Sequence, residues 1–101
     1  MGKQSRNRQR GRAAEKQTAK ALGGKAIGAL SGEDVFTWDM SIEVKSRKKF
    51  VGKGWMEQAE RNNVDTKVPL VVVHITGTKY EDDLVLMRIK DFQEMKLAKD
   101  N

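Results

Sequence analysis

Hydrophobic and polar positions along the chain switch several times between helical spacing and strict alternation. From Arg12 to Leu22, good helix formers place Ala14, Thr18, Ala21 and Leu22 on one stripe, and Gly23-Gly24 ends the segment, which predicts a first helix. Lys25 to Leu30 suits a short strand, closed by the Ser31-Gly32 turn signal. Asp34 to Arg47 then reads as two strands. Val35, Phe36, Thr37 and Trp38 suit the first, Asp39-Met40 the bend, and Ser41-Ile42-Glu43-Val44-Lys45-Ser46-Arg47 alternates polar with apolar. Gly52 and Gly54 break the pattern, after which Trp55 to Asn62 starts a second helix with Trp55, Met56 and Ala59 at helical spacing.

Val68 to Ile75 is a β-branched run whose near-continuous apolarity predicts a strand buried on both faces, with Pro69 tolerated near its start. Gly77 to Asp83 is a polar turn, Leu84 to Ile89 the partner strand, and Lys90 to Lys99 a short terminal helix. The order α-β-β-β-α-β-β-α predicts an α/β domain on a mixed sheet flanked by helices. Residues 1–11 lack apolar periodicity and read as a flexible basic arm, leaving 12–101 as one domain with a modest core.

Composition removes several function classes. The chain has no cysteine, so neither disulfides nor a thiolate metal site is available, and the single His74 excludes a histidine-rich cluster. No continuous apolar stretch follows the basic N-terminus, and Val68–Val73, the longest apolar run, is far too short to span a bilayer. A soluble, cytoplasmic protein without a membrane partner is expected.

Charge sharpens the picture. Of the net +6, five charges lie in residues 1–12, on Lys3, Arg6, Arg8, Arg10 and Arg12. A second cluster, Lys45, Arg47, Lys48, Lys49 and Lys53, sits within the domain. Two basic clusters on a small chain favour a polyanionic partner, most simply nucleic acid. The plainer alternative is a basic tail that keeps the protein soluble.

The segment from Asp34 to Lys45 carries the candidate chemistry. In an extended chain Glu43 and Lys45 share a face, opposite Ile42 and Val44. Asp34, heading the adjacent strand, brings a second carboxylate to the same place. Oxygen ligands of this kind suit octahedral Mg²⁺, with Mn²⁺ as a substitute, and a neighbouring lysine can orient the attacking water or stabilise charge on a phosphate. Phosphodiester hydrolysis is the chemistry that fits. A Glu-x-Lys pair on a strand is also a common solvated, charge-paired surface, so a non-catalytic basic nucleic-acid-binding protein is the alternative.

With these residues in view, the chain resembles the PD-(D/E)XK nuclease superfamily, and within it the archaeal-type and phage-encoded Holliday junction resolvases. The resemblance rests on Ala14-Glu15, Leu22-Gly23-Gly24, Gly32-Glu33-Asp34-Val35, Ser41 to Lys48, Trp55 to Ala59 and Val68 to His74, about residues 11 to 92. It implies a restriction-endonuclease-like fold and Asp34 and Glu43 as metal ligands. It further implies Glu15 as the helix-borne acid completing the site, Lys45 as the catalytic lysine, and Gln58 on the helix beside it. It also implies a homodimer cutting branched DNA in the cytoplasm, the host's if phage-encoded. Nicking, flap or single-strand cleavage by the same fold is the enzymatic alternative. Glu33 stands where the family name has proline, and the short spacing from Asp34 to Glu43 makes Asp39 a rival ligand. Asp34 is preferred because it follows the Ser-Gly turn and opens the strand.

The remaining candidates follow from charge and position. Arg6, Arg8, Arg10, Arg12, Arg47, Lys48 and Lys49 are expected to meet DNA phosphates, and Ser31 either touches the scissile phosphate or shapes its turn. His74 reads as a satisfied histidine rather than a base, and Glu81-Asp82-Asp83 as a solvated loop. Trp38 and Trp55 read as core or interface anchors, with base stacking as the alternative.

Overall fold

Residues 2–22 contain no proline and abound in Gln, Arg, Lys and Ala, all strong helix formers. The computed structural model describes residues 2–26 and 34–100, with side chains from residue 9 onward. In it, residues 2–22 form one helix, α1 (Gly2–Leu22). The helix therefore begins ten residues before Arg12, and the segment read as an arm is its first half. The apolar stripe lies along the second half of the helix, where Ala19 and Leu22 are buried. Gln9 and Arg10 are exposed and need no such stripe.

The Gly23-Gly24 pair ends α1 as expected. Gly23 takes a left-handed φ of +70°, and the Gly24 N–H donates to the Ala19 carbonyl at 2.8 Å, the bond that closes a Schellman cap. At Gly24 a Cβ would stand 2.5 Å from the Phe36 carbonyl oxygen, so only glycine lets the chain pass there.

Three very short strands follow: β1 (Lys25–Ala26), β2 (Val35–Phe36) and β3 (Ser41–Ile42). They form an antiparallel sheet in that order, pairing Ala26 with Val35 and Val35 with Ile42. α1 lies against β1 and β2, and Val35, fully buried, joins Ala19 and Leu22 in the core. The second strand of the hairpin stops at Ile42 instead of running to Arg47 as its alternation predicted. Alternation records which face a side chain takes, whereas a ladder also needs a partner strand. Among the described residues none pairs with 43–47.

Residues 49–101 form a second compact unit, distinct from 1–48; the boundary falls inside the segment read as one domain. Here α2 (Gly52–Arg61) lies against β4 (Val71–Val73), and β4 pairs antiparallel with β5 (Leu84–Leu86). Tyr80–Asp82 makes one 3-10 turn, and α3 (Ile89–Asp100) ends the chain. Gly52 opens α2 rather than breaking the pattern before it, and Met56 is the buried anchor of that helix. The expectation of a doubly buried strand at Val68–Ile75 is corrected. Only Val71–Val73 are paired, and the cross-strand partners Val72 and Val85 are each 61% exposed. A β-branched run encodes strand propensity but not how many neighbours will cover it.

The chain is thus mixed α/β, in the predicted order α-β-β-β-α-β-β-α, with three α-helices among the described residues. The single mixed sheet is replaced by two small sheets, and every ladder among the described residues is antiparallel. No described helix is long and apolar enough to cross a membrane.

Candidate active site

The β2–β3 hairpin opens at Asp34. Its backbone N–H donates to the Ile42 carbonyl at 2.9 Å, and its carboxylate Oδ2 accepts the Val44 N–H at 2.7 Å. The side chain of Asp34 thus takes the place of a ladder partner just where the ladder ends. This holds Glu43-Val44-Lys45 extended, with exposure still alternating: Glu43 and Lys45 out, Val44 half-buried. The shared face expected for Glu43 and Lys45 is present, since Lys45 Nζ lies 3.1 Å from Glu43 Oε1. Both side chains are more than half exposed, so this ion pair adds little to stability.

α1 contributes the third acid. Glu15, half-buried, lines a cleft of about 790 Å³ together with Asp34, Glu43 and Lys45. Arg10 from the same helix, and Ser46, Arg47 and Lys48 beyond β3, form the rest of its polar wall. Three carboxylates therefore share one cleft of the first unit with four cationic side chains, a composition suited to an anionic chain carrying a cation. The donors are hard oxygens of the kind Mg²⁺ prefers. As they stand, no three His, Cys, Asp or Glu side chains among the described residues are gathered closely enough to hold a metal.

Asp39, the rival to Asp34, is engaged in the turn. It accepts the Thr37 hydroxyl at 2.9 Å, and its own N–H donates back to that oxygen at 3.3 Å. It does not line the cleft. Arg12 is exposed and does not line it either. The side chains of Arg6 and Arg8, and Ser31 altogether, lie outside the described residues. Lys49 and Gln58 belong to the second unit, where Gln58 and Trp55 line a separate groove of about 640 Å³ with residues of the β4 segment.

In that unit His74 is satisfied, as its sequence context suggested: Nδ1 lies 2.6 Å from Asp83 Oδ1, and the ring stacks on Tyr80 at 4.3 Å. Asp83 is therefore more than part of a solvated loop, with its side chain only 15% exposed, while Glu81 and Asp82 remain exposed. Sequence reasoning missed the Asp34–Val44 bond and the forked pairing of Arg88 with Glu60, two bonds of 2.9 Å each. That pairing holds the Glu60 carboxyl below its ordinary range and raises Arg88. Nothing in a sequence separation of 28 residues announces it.

The chain's charge divides with its units. Residues 1–48 hold eleven Lys and Arg against five Asp and Glu, whereas 49–101 hold nine of each, so the whole net +6 belongs to the unit with the cleft. Comparison with models of protein families, with curated proteins and with solved structures finds no match to this chain.

Proposed function

We propose that this chain is a Mg²⁺-dependent endodeoxyribonuclease of the PD-(D/E)XK type, with a restriction-endonuclease-like fold, acting on branched DNA as a homodimer. The observation that carries the reading is that Glu15, Asp34, Glu43 and Lys45, drawn from a helix, a strand entry and a strand exit, line one cleft. Asp34, Glu43 and Glu15 line the cleft without converging on one point, and would have to draw together there to hold the ion, Mg²⁺ or Mn²⁺. When bound there it supplies Lewis acidity toward the scissile phosphate and its attacking water. Lys45 sits beside Glu43 to orient that water and to meet charge developing on the phosphate oxygens. Arg10, Arg47 and Lys48 hold the sugar-phosphate backbone. A cytoplasmic location accords with this role.

The test is strand cleavage of a synthetic four-way junction with and without Mg²⁺, run beside flap, nicked, single-stranded and blunt duplex DNA. Metal-dependent symmetric cutting of the junction is expected. Preferred cutting of a flap or single strand would keep the enzyme and change its substrate. A second reading, a non-catalytic basic DNA-binding protein, draws on the Glu43–Lys45 ion pair, which leaves each group already neutralised by the other. Tight binding with no cutting under any divalent ion would favour it.

A further inference from the structure

Trp38 sits in the turn that closes the β2–β3 hairpin, and its residue surface is 77% exposed. That turn is well built. The Thr37 N–H donates to the Met40 carbonyl at 3.0 Å, Thr37 itself is buried, and its hydroxyl is bonded to Asp39 on both sides. A fixed turn thus carries the largest apolar side chain of the unit into water, against the usual preference of such surface for burial.

Among the described residues of 1–48, Trp38 is the only large hydrophobic that is exposed; the others belong to 49–101. A protein–protein interface needs a contiguous patch of roughly 800 Å² on each partner, which one indole does not supply. A single aromatic platform on a strongly basic unit is instead what exposed nucleobases stack upon.

From this, and resting on the nuclease reading above, we infer that Trp38 is a DNA-contacting residue that stacks on a nucleobase left unpaired or exposed at a branch point. Trp38 lies four residues along the chain from Asp34, in the turn that follows β2. Trp38 therefore favours substrates that offer an unpaired base over perfect duplex.

The experiment uses the full chain with Trp55→Phe, so that Trp38 is the sole tryptophan, in Ca²⁺ to prevent cutting. Its fluorescence should be quenched by single-stranded DNA and by a four-way junction, and much less by blunt duplex bound to equal saturation. Trp38→Ala should weaken junction binding by roughly 5- to 100-fold and leave duplex binding nearly unchanged, while Trp38→Phe retains most of the affinity. Circular-dichroism melts confirm that the variants fold. Junction binding that leaves Trp38 fluorescence and Trp38→Ala affinity unchanged overturns the inference while sparing the nuclease reading. So does a Trp38→Ala change in the monomer–dimer equilibrium without DNA, which would make the indole a contact between copies. If the parent protein binds none of the three DNAs, the nuclease reading falls first and this one with it.

Discussion

Asp34 and Val44 are joined by a 2.7 Å hydrogen bond from the Val44 N–H to the Asp34 carboxylate, and Val44 stands between Glu43 and Lys45. One carboxylate therefore both faces the cleft and fixes the backbone that presents the other two functional groups. Structure and chemistry can be separated by the choice of substitution. Asp34→Asn keeps an oxygen to accept the Val44 N–H, so it should fold normally, bind DNA and fail to cut. Asp34→Ala should in addition lose about 1–2 kcal/mol of stability, since the Val44 donor is left unmet. Glu43→Gln should match Asp34→Asn, whereas Asp39→Asn should cut at close to the parent rate. A dead Asp39→Asn beside an active Asp34→Asn would reverse the ligand assignment.

Lys45→Ala is expected to slow single-turnover cleavage by more than a hundredfold, the effect of losing a transition-state contact of about 3 kcal/mol. Lys48→Ala, also on the cleft wall, should weaken binding about equally across DNA sequences and leave the saturated rate nearly intact. Saturating enzyme keeps weak binding from passing as slow chemistry. Near-parental rates for Lys45→Ala would remove the Glu-x-Lys pair from the mechanism.

Arg10 lines the cleft from α1, so its contribution should be visible as salt dependence. Arg10→Ala should reduce the slope of log affinity against log salt by roughly 0.9, the value of one phosphate contact. Deleting residues 1–11 removes Lys3, Arg6, Arg8 and Arg10 and should flatten the slope further. Binding isotherms between low and physiological salt measure both, and an unchanged slope would mean that this end of α1 does not meet DNA.

Much of this site was legible because alternation alone sets side-chain direction. Ser41 to Lys45 placed Glu43 and Lys45 together without any knowledge of the sheet. The extent of each element was less legible, because a ladder depends on partners that a local pattern does not contain. For that reason β3 ends at Ile42, and Val72 lies exposed within a run that reads as core. The first half of α1 was missed for the opposite reason: helix propensity without an apolar stripe leaves no periodic signal. The choice of Asp34 over Asp39 was read from turn chemistry, and the bond to Val44 that accompanies it has no signature in the sequence.

Glu60 offers a test in the second unit. Its carboxyl is held below the ordinary value of 4.5 by the forked bond from Arg88. A depressed carboxylate contributes stability that is complete above its unfolded-state value and is lost as pH falls through the lower folded-state value. Glu60→Gln should therefore melt slightly below the parent near neutral pH, with the two curves converging as the pH falls below the ordinary glutamate range. The pair is partly exposed, so added salt should shrink the difference. A gap that widens in acid would contradict the assignment.

The close pass at Gly24 has a consequence for how function would be mapped in this protein. Any side chain there must displace the Phe36 carbonyl, and Phe36 belongs to the strand entered from Asp34. In a saturation library scored by cleavage, Gly24 should look as intolerant as Glu43, although no chemistry passes through it. Scoring the same library by soluble yield would part them. Gly24 variants should fall on both axes and Glu43→Gln on one, so positions lost on activity alone would trace the reacting groups.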